Sequence, residues 1–374
     1  MTNRDCDLAV IGAGLSATSV LASLRMGGWQ GTATLVEAGR GPGGRAASRR
    51  RRDDPIWCLD HGAPLLHCQP SGDHNAGGER LLQALVGAGV IEPESSADLW
   101  LGLQGFEQGE QVDRFGAGTQ RWRGRPSMDA MARALLALAG ENVEAHFGVR
   151  VQQLQHGSRG WQLLDGAGAT ITRAKALVLS GNLLAHPRSL ATLGLNRCPL
   201  RDAIPEGVDA IFDQTLACIA KIQMEPRWNR MLACPSGGER SWPRQVWLTP
   251  SAATRWQVER LVFHPQADGR LGIVVHGCGD AGTLPSELLA AWPALAKIVG
   301  SATDLGVMRW GAARPLDHPL PSAWQWNAHL RLGLCGDWIE GPGFASAQGA
   351  ISSGDVLAQQ MLGCDGSMAG GAGE

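Results

Sequence analysis

Gly12, Ala13, Gly14 and Ala17 stand as G-x-G-x-x-A in the stretch AVIGAGLSATSV, and a carboxylate, Glu37, closes the apolar run TATLVE. Residue types in this order, with an acid about twenty residues after the glycines, bind a diphosphate and its ribose. Gly12 makes the tight turn, Gly14 lets a phosphate approach the backbone, and Ala17 needs only close helix–strand packing. A helix opening at Leu15 and Ser16 turns free N–H groups and its positive dipole end toward the phosphates. Glu37, with Ala38 behind it, falls where a carboxylate takes ribose hydroxyls. The elements that must place these groups are legible around them. Leu8–Ile11 reads as a buried parallel strand, Leu15, Val20, Leu21 and Leu24 recur at helical spacing, and Thr32–Val36 is a second strand. Together they predict a βαβ dinucleotide unit.

A second glycine cluster follows the acid at once: Gly39, Gly41, Gly43, Gly44, then Arg45. An NAD site has no need of it. A second loop here can fold back over the same diphosphate, and Arg45 adds a charge-assisted donor. Two loops on one diphosphate resemble the FAD site of amine-oxidase-like flavoproteins, whose second fingerprint is the GGR after the ribose acid.

Composition bounds the class. The 374 residues suit two interleaved domains, and 44% apolar with 18% charged residues is ordinary for a globular protein. A formal net charge of −2 gives no support for nucleic-acid or membrane-surface partners. Nine cysteines, an odd number without short paired spacing, argue against a disulfide framework and a zinc site, and the expectation is a reduced, cytoplasmic setting. The chain enters its first strand almost directly, so no signal peptide is expected, and no apolar run has the length of a membrane span. Residues 364–374, GCDGSMAGGAGE from Gly363 onward, read as a frayed tail. Ser127 is a candidate N-cap for a helix carrying Met128, Met131, Leu135 and Leu138 on one face.

A narrower resemblance emerges from several motifs in order. GRGPGGRAASRR, LDHGA, GRPSM, MRWGAARP and LCGDWIEGPGFASAQGAISSG resemble the renalase-like flavoproteins at similar spacing. The likeness touches most of the first 65 residues, 124–180 and the last 60; residues 185–300 carry no matching motif. It implies a p-hydroxybenzoate-hydroxylase-like fold: an α/β, Rossmann-like FAD-binding domain (1–65, 122–182, 306–363) interleaved with an antiparallel-sheet substrate domain (66–121, 183–305). It also implies non-covalent FAD and oxidation of dihydro-nicotinamide isomers, with oxygen taking the electrons to give peroxide. Residue by residue, Gly62 and Ala63 would pass their backbone beside the flavin and Val151 would meet the adenine. Gly336 and Asp337 would end the returning strand, the acid reaching a ribityl or phosphate hydroxyl. Trp338 would pack on the flavin or in the core.

Three segments depart from the family. HGAPLL puts Leu65 in place of an aromatic, RWGAA puts Gly311 and Ala312 where bulk is usual, and Ser180–Leu184 (SGNLL) replaces a proline-rich LPxP. A reshaped lining leaves open an amine oxidase, a desaturase of isoprenoid or pigment precursors, or a flavin-binding protein without turnover. Catalytic candidates are two. His61 could orient substrate or handle a proton, or merely anchor its turn. Lys221 could act as related amine oxidases use a lysine, holding a water at the flavin, or be a solvated strand-edge lysine. The run Arg49–Arg52 could hold the diphosphate of a nicotinamide dinucleotide substrate, or lie in solvent. No metal site is expected, and the oligomeric state stays open.

Overall fold

The run Leu8–Ile11 lies inside the strand Asp5–Ile11, near the centre of an eight-stranded sheet. The computed structural model describes residues 5–54, 57–68, 76–96, 98–107, 118–238, 241–277 and 284–363; the tail expected at 364–374 lies outside them. Ala33–Glu37 and Thr170–Leu179 flank the first strand in parallel, and Val143–Phe147 pairs in parallel with Ala33–Glu37. The far edge of Thr170–Leu179 is shared. Its first half pairs with the antiparallel strand Gly160–Leu164, and residues 177–179 pair in parallel with Leu332–Leu334. The alternation of strand side chains builds two cores on the two faces. Leu8 and Val10 face the helices Leu15–Met26 and Ala347–Gly363, through Val20, Leu21, Leu24 and Leu357. Ala9, Leu177 and Leu179 face Trp161, Leu200, Phe212, Leu216 and Trp338.

A second, seven-stranded sheet runs in the order Thr303–Pro315, Met224–Cys234, Leu271–Gly277, Val258–Pro265, Gln245–Leu248, Leu99–Gly102, Gly105–Glu107. Its neighbours are antiparallel except for the pair Gln245–Leu248 with Leu99–Gly102. The fold class is therefore α/β, a Rossmann-like layer joined to a largely antiparallel sheet. The boundaries between the two differ from the expected ones. Residues 306–315 belong to the second sheet, because Thr303–Pro315 pairs along Met224–Cys234. Conversely, Leu200, Ile204, Phe212, Leu216 and Ile219 close the core of the first sheet, and Leu81, Leu85 and Ile91 pack with Leu15, Met131 and Ile351. In each case the apolar face of the element decides its partner, and that face matches whichever layer lies beneath it.

Two short pieces join the layers. Ser48–Arg50 pairs with Cys58–Asp60, and Leu66–Cys68, Gln120–Gly124 and Ile91–Pro93 form a three-stranded sheet. Among the described residues, no helix is long and apolar enough to cross a membrane.

Candidate functional site

The first glycine loop turns where the central strand ends. Gly12 has φ +103° and donates its N–H to the Val36 carbonyl at 2.8 Å; a Cβ built there would lie 2.2 Å from the Ser180 hydroxyl. The second loop folds onto the first. Gly14 and Gly43 form a parallel bridge, the Gly43 N–H donates to the Ala13 carbonyl at 2.8 Å, and Gly44 would place a Cβ 2.9 Å from the Gly14 Cα. No side chain fits between them. Glu37 ends its strand with a carboxylate that accepts from the Ala13 N–H at 2.8 Å and the Gly39 N–H at 2.5 Å. Gly62 comes equally close, with a Cβ position 2.0 Å from the Arg45 carbonyl, which accepts from the Ala63 N–H at 2.8 Å. Val151 is buried in the core that includes Val36. The helix Leu15–Met26 starts directly behind Gly14 and buries Leu15, Ser16 and Ala17.

Arg45 and Asp337, expected as separate cofactor ligands, are held together. The guanidinium grips the buried carboxylate with two bonds of 2.7 and 2.6 Å, and its Nη1 also reaches the Ala313 carbonyl at 3.2 Å. Gly336, at φ +148°, lies under the indole of Trp338, which sits in the core of the first sheet. The last helix begins ten residues after Asp337, at Ala347, and the turns between carry Gly341, Gly343 and Ala345 in left-handed geometry.

Where the second sheet meets the turn at His61, residues without any motif come forward. Asn229 stands directly opposite His276 on adjacent strands, and His276 directly opposite Arg260. Such pairs share a face of the sheet. The Asn229 amide donates to the His61 carbonyl at 2.6 Å, the Trp310 indole donates to the same oxygen at 3.3 Å, and the His61 ring stacks on Trp310 at 5.4 Å. His61 Nδ1, Asn229 Oδ1 and His276 Nε2 are buried and have no hydrogen-bond partner among the described residues. Buried polar atoms are ordinarily satisfied by protein, water or ligand, so these three atoms on one face are a candidate binding cluster. Burial, then the charge of Arg49, pushes His61 down to about 4, and burial, then Arg260 and Arg227, pushes His276 well below the ordinary histidine value. Both rings are neutral at pH 7. His61 anchors its turn through its carbonyl while its ring faces this seam. A signal for the missed residues was present: a histidine inside the apolar run LGIVVHG, and an asparagine at an inward position of MEPRWNRMLAC.

Below His61 the neighbouring acid is a brace. Asp60 accepts from the Ser48 hydroxyl at 2.6 Å, the Met128 N–H at 2.9 Å and Arg244 at 3.1 Å. Burial raises the Asp60 carboxyl and lowers Arg244, and each charge compensates the other. Ser127 does not cap the helix Asp129–Leu138; its hydroxyl is shared by Asp129 at 2.6 Å and Arg50 at 2.7 Å. The arginine run is largely committed elsewhere. Arg50 forks onto Asp129 at 2.6 and 2.8 Å and Arg51 pairs with Asp53, so a diphosphate grip by the whole run is ruled out by these pairings. Arg49 alone puts its charge on His61. Lys221 is exposed in the turn after the helix Ala210–Ile219, outside any strand, and takes no part in the seam. Of the three altered segments, Leu65 is buried, a Cβ at Gly311 would meet nothing within 4 Å, and Asn182 is buried beside Arg188.

Residues 10–77 match the family described as an NAD(P)-binding Rossmann-like domain. Over 245 residues the chain is 29% identical to the tRNA 5-methylaminomethyl-2-thiouridine biosynthesis bifunctional protein MnmC of Ralstonia nicotianae, covering 53% of this chain and 35% of that one. The chain thus spans about a third of the length of that curated relative. Whole-chain likeness is found among solved structures. Putrescine oxidase bound to putrescine superimposes with TM-score 0.61 at 11% identity, covering 96% of this chain and all of the other. Cyclohexylamine oxidase from Brevibacterium oxydans gives 0.61 at 14% identity, with 96% and 99% covered. A putative protoporphyrinogen oxidase from Exiguobacterium gives 0.61 at 10%, with 98% and 100% covered. At such identities the likeness defines the class of fold, a Rossmann-like dinucleotide layer with a second sheet set against it.

Proposed function

We propose that this chain is a renalase-like oxidoreductase that holds FAD non-covalently and oxidises a small reduced substrate, dihydro-NAD(P) isomers first, with oxygen as acceptor. One observation carries the cofactor: the bridge Gly14–Gly43, two glycine loops in contact over the end of a parallel strand. The residues present fit a dinucleotide: side-chain-free contacts at Gly12, Gly44 and Gly62 let the loops pack on one another, and Gly14 and Gly41 carry no side chain that would shield the loop backbone from a phosphate. When bound, FAD supplies a hydride acceptor at its N5 and, once reduced, electrons for oxygen.

The chain's own residues supply position. Glu37 stands at the ribose end and Arg45 with Asp337 at the far lip of the second loop. The seam supports a neutral ring bearing a carboxamide. Asn229 Oδ1 accepts, and the neutral rings of His61 and His276 donate or accept. The acids nearest the seam are already paired: Asp60 with Arg244, Asp129 with Arg50, Glu225 and Glu259 with Arg227. That arrangement favours a carboxamide over the alkylammonium groups named for the solved oxidases.

The test begins with acid precipitation, which should leave FAD in the supernatant. Anaerobic mixing with 2- and 6-dihydro isomers of NAD(P) should then bleach the yellow colour, and air should restore it with peroxide. Asn229→Leu should raise the donor concentration for half-maximal bleaching about tenfold, the worth of one hydrogen bond in a desolvated site, and leave the FAD content unchanged. A colourless protein would remove the cofactor; bleaching by an amine or pigment precursor alone would remove the substrate.

A further inference from the structure

Arg188 follows the altered segment Ser180–Leu184. Its Nη2 donates to the Asn182 Oδ1, and Asn182 is buried. Its backbone N–H donates to His186 Nδ1 at 3.0 Å, and His186 Nε2 meets the Ile222 carbonyl at 3.0 Å. The side chain and its backbone are thus held in place. Yet Nη1 is buried with no hydrogen-bond partner among the described residues, and no ion pair to an acid is made there. Burial, then the charge of Arg45, lowers Arg188 to about 10, so a second guanidinium lies close by. The carboxylate that Arg45 holds, Asp337, is already taken by both arms of that guanidinium. Two guanidinium groups with one carboxylate leave one positive charge uncompensated in a part-buried place, which is costly unless an anion joins them.

Location selects the anion. The segment leaves the end of the strand Thr170–Leu179, and the hydroxyl of Ser180 donates to the Ile11 carbonyl at 3.0 Å, beside Gly12. This is the mouth of the glycine loops. Asn182 also approaches Met224 Sδ at 4.0 Å, five residues up the strand from Asn229, or about 16 Å at strand rise. The charge therefore sits on the dinucleotide side and away from the substrate seam.

We propose that Arg188, braced by Asn182, is a guanidinium ligand for the diphosphate of the dinucleotide, acting beside the Arg45–Asp337 pair in place of the proline-rich turn. The proposal rests on the FAD reading. Its test is a titration of flavin-stripped protein with FAD, followed by flavin fluorescence, and with ADP and adenosine, followed by calorimetry. Arg188→Met should weaken FAD and ADP by about 10- to 100-fold, as for a hydrogen bond to a charged group, and leave adenosine unchanged. Arg188→Lys, which keeps the charge but not the fork, should fall between. Unfolding midpoints of both variants close to that of the parent show that the fold is kept. FAD and ADP affinities within twofold of the parent in both variants would overturn the proposal. So would a loss confined to dihydro-nicotinamide dinucleotides. If the parent protein binds no FAD, the cofactor reading fails by itself, while the ADP-to-adenosine ratio still reports on Arg188.

Discussion

At Glu37 a single carboxylate ties two backbone turns, accepting from Ala13 in the first loop and Gly39 in the second. Its removal strips an acceptor from two N–H groups and, in the proposed dinucleotide site, from the ribose as well. Glu37→Ala should therefore cost roughly 2–3 kcal/mol of FAD affinity, measured by equilibrium titration. Glu37→Gln should lose less, because its one carbonyl oxygen still accepts. Affinity equal to the parent in both variants would show that the carboxylate serves only the turns. The same scale separates residues that look alike in the sequence. Arg45, Arg49, Arg50 and Arg188 are all arginines near the loops, but Arg50 is locked to Asp129 and Ser127 whereas Arg188 has an N–H to spare. Burial alone would raise the Asp129 carboxyl; hydrogen bonds from Arg50, Ser127 and Arg133 outweigh it and hold the carboxyl well below the usual range.

The loops act as elements because their backbones touch. A methyl group at Gly62 would lie 2.0 Å from a carbonyl oxygen that cannot swing aside, since it accepts from Ala63. Gly41, in the neighbouring loop, has nothing within 4 Å of its Cβ position. Gly62→Ala should thus lower stability by about 1–3 kcal/mol, as overpacking does, with Gly41→Ala near neutral, measured by urea unfolding. Equal effects of the two would mean the loops do not meet as described. The brace at Asp60 works at this scale too. It joins Ser48, Met128 and Arg244, which come from three separate segments of the chain, at the residue next to His61.

For the whole molecule, the seam and its surroundings bury several neutral histidines. Burial comes first in lowering each: His61 to about 4, His67 to about 3, and His264 and His276 well below the ordinary value. Unfolded, each takes a proton near pH 6.5; folded, each refuses it until much lower. The unfolded chain then binds more protons below pH 6.5, so stability falls as pH falls through the window from about 6.5 to 4. Each ring contributes up to about 1.4 kcal/mol per pH unit there. Asp60, raised by burial, opposes one of them, and Asp129 adds its own loss below about pH 4. Denaturant midpoints measured at pH 7.5, 6 and 5 should drop steeply, and a flat profile would mean that these rings are charged or exposed. FAD should raise the midpoint at every pH, by mass action.

The dinucleotide unit was legible in the chain because its causes are local. A strand, Gly12 and Gly14, a helix and Glu37 lie within about thirty residues, and each position is set by the backbone next to it. The second loop was legible for the same reason. The partition between layers was not, because helices such as Ala210–Ile219 are amphipathic toward whichever sheet lies beneath them. The seam was hidden for a stronger reason. Asn229 and His276 are cross-strand neighbours, yet 47 residues of chain separate them, and nothing local requires either type. Arg45 and Asp337, and the charges of Arg45 and Arg188, likewise come together only when the strand Leu332–Leu334 and the segment after Leu179 close on one edge. Motif and periodicity decide how each short piece folds. Pairing of distant strands decides which side chains share the low-dielectric space between them, and it is there that charge, burial and unsatisfied hydrogen bonds acquire their meaning.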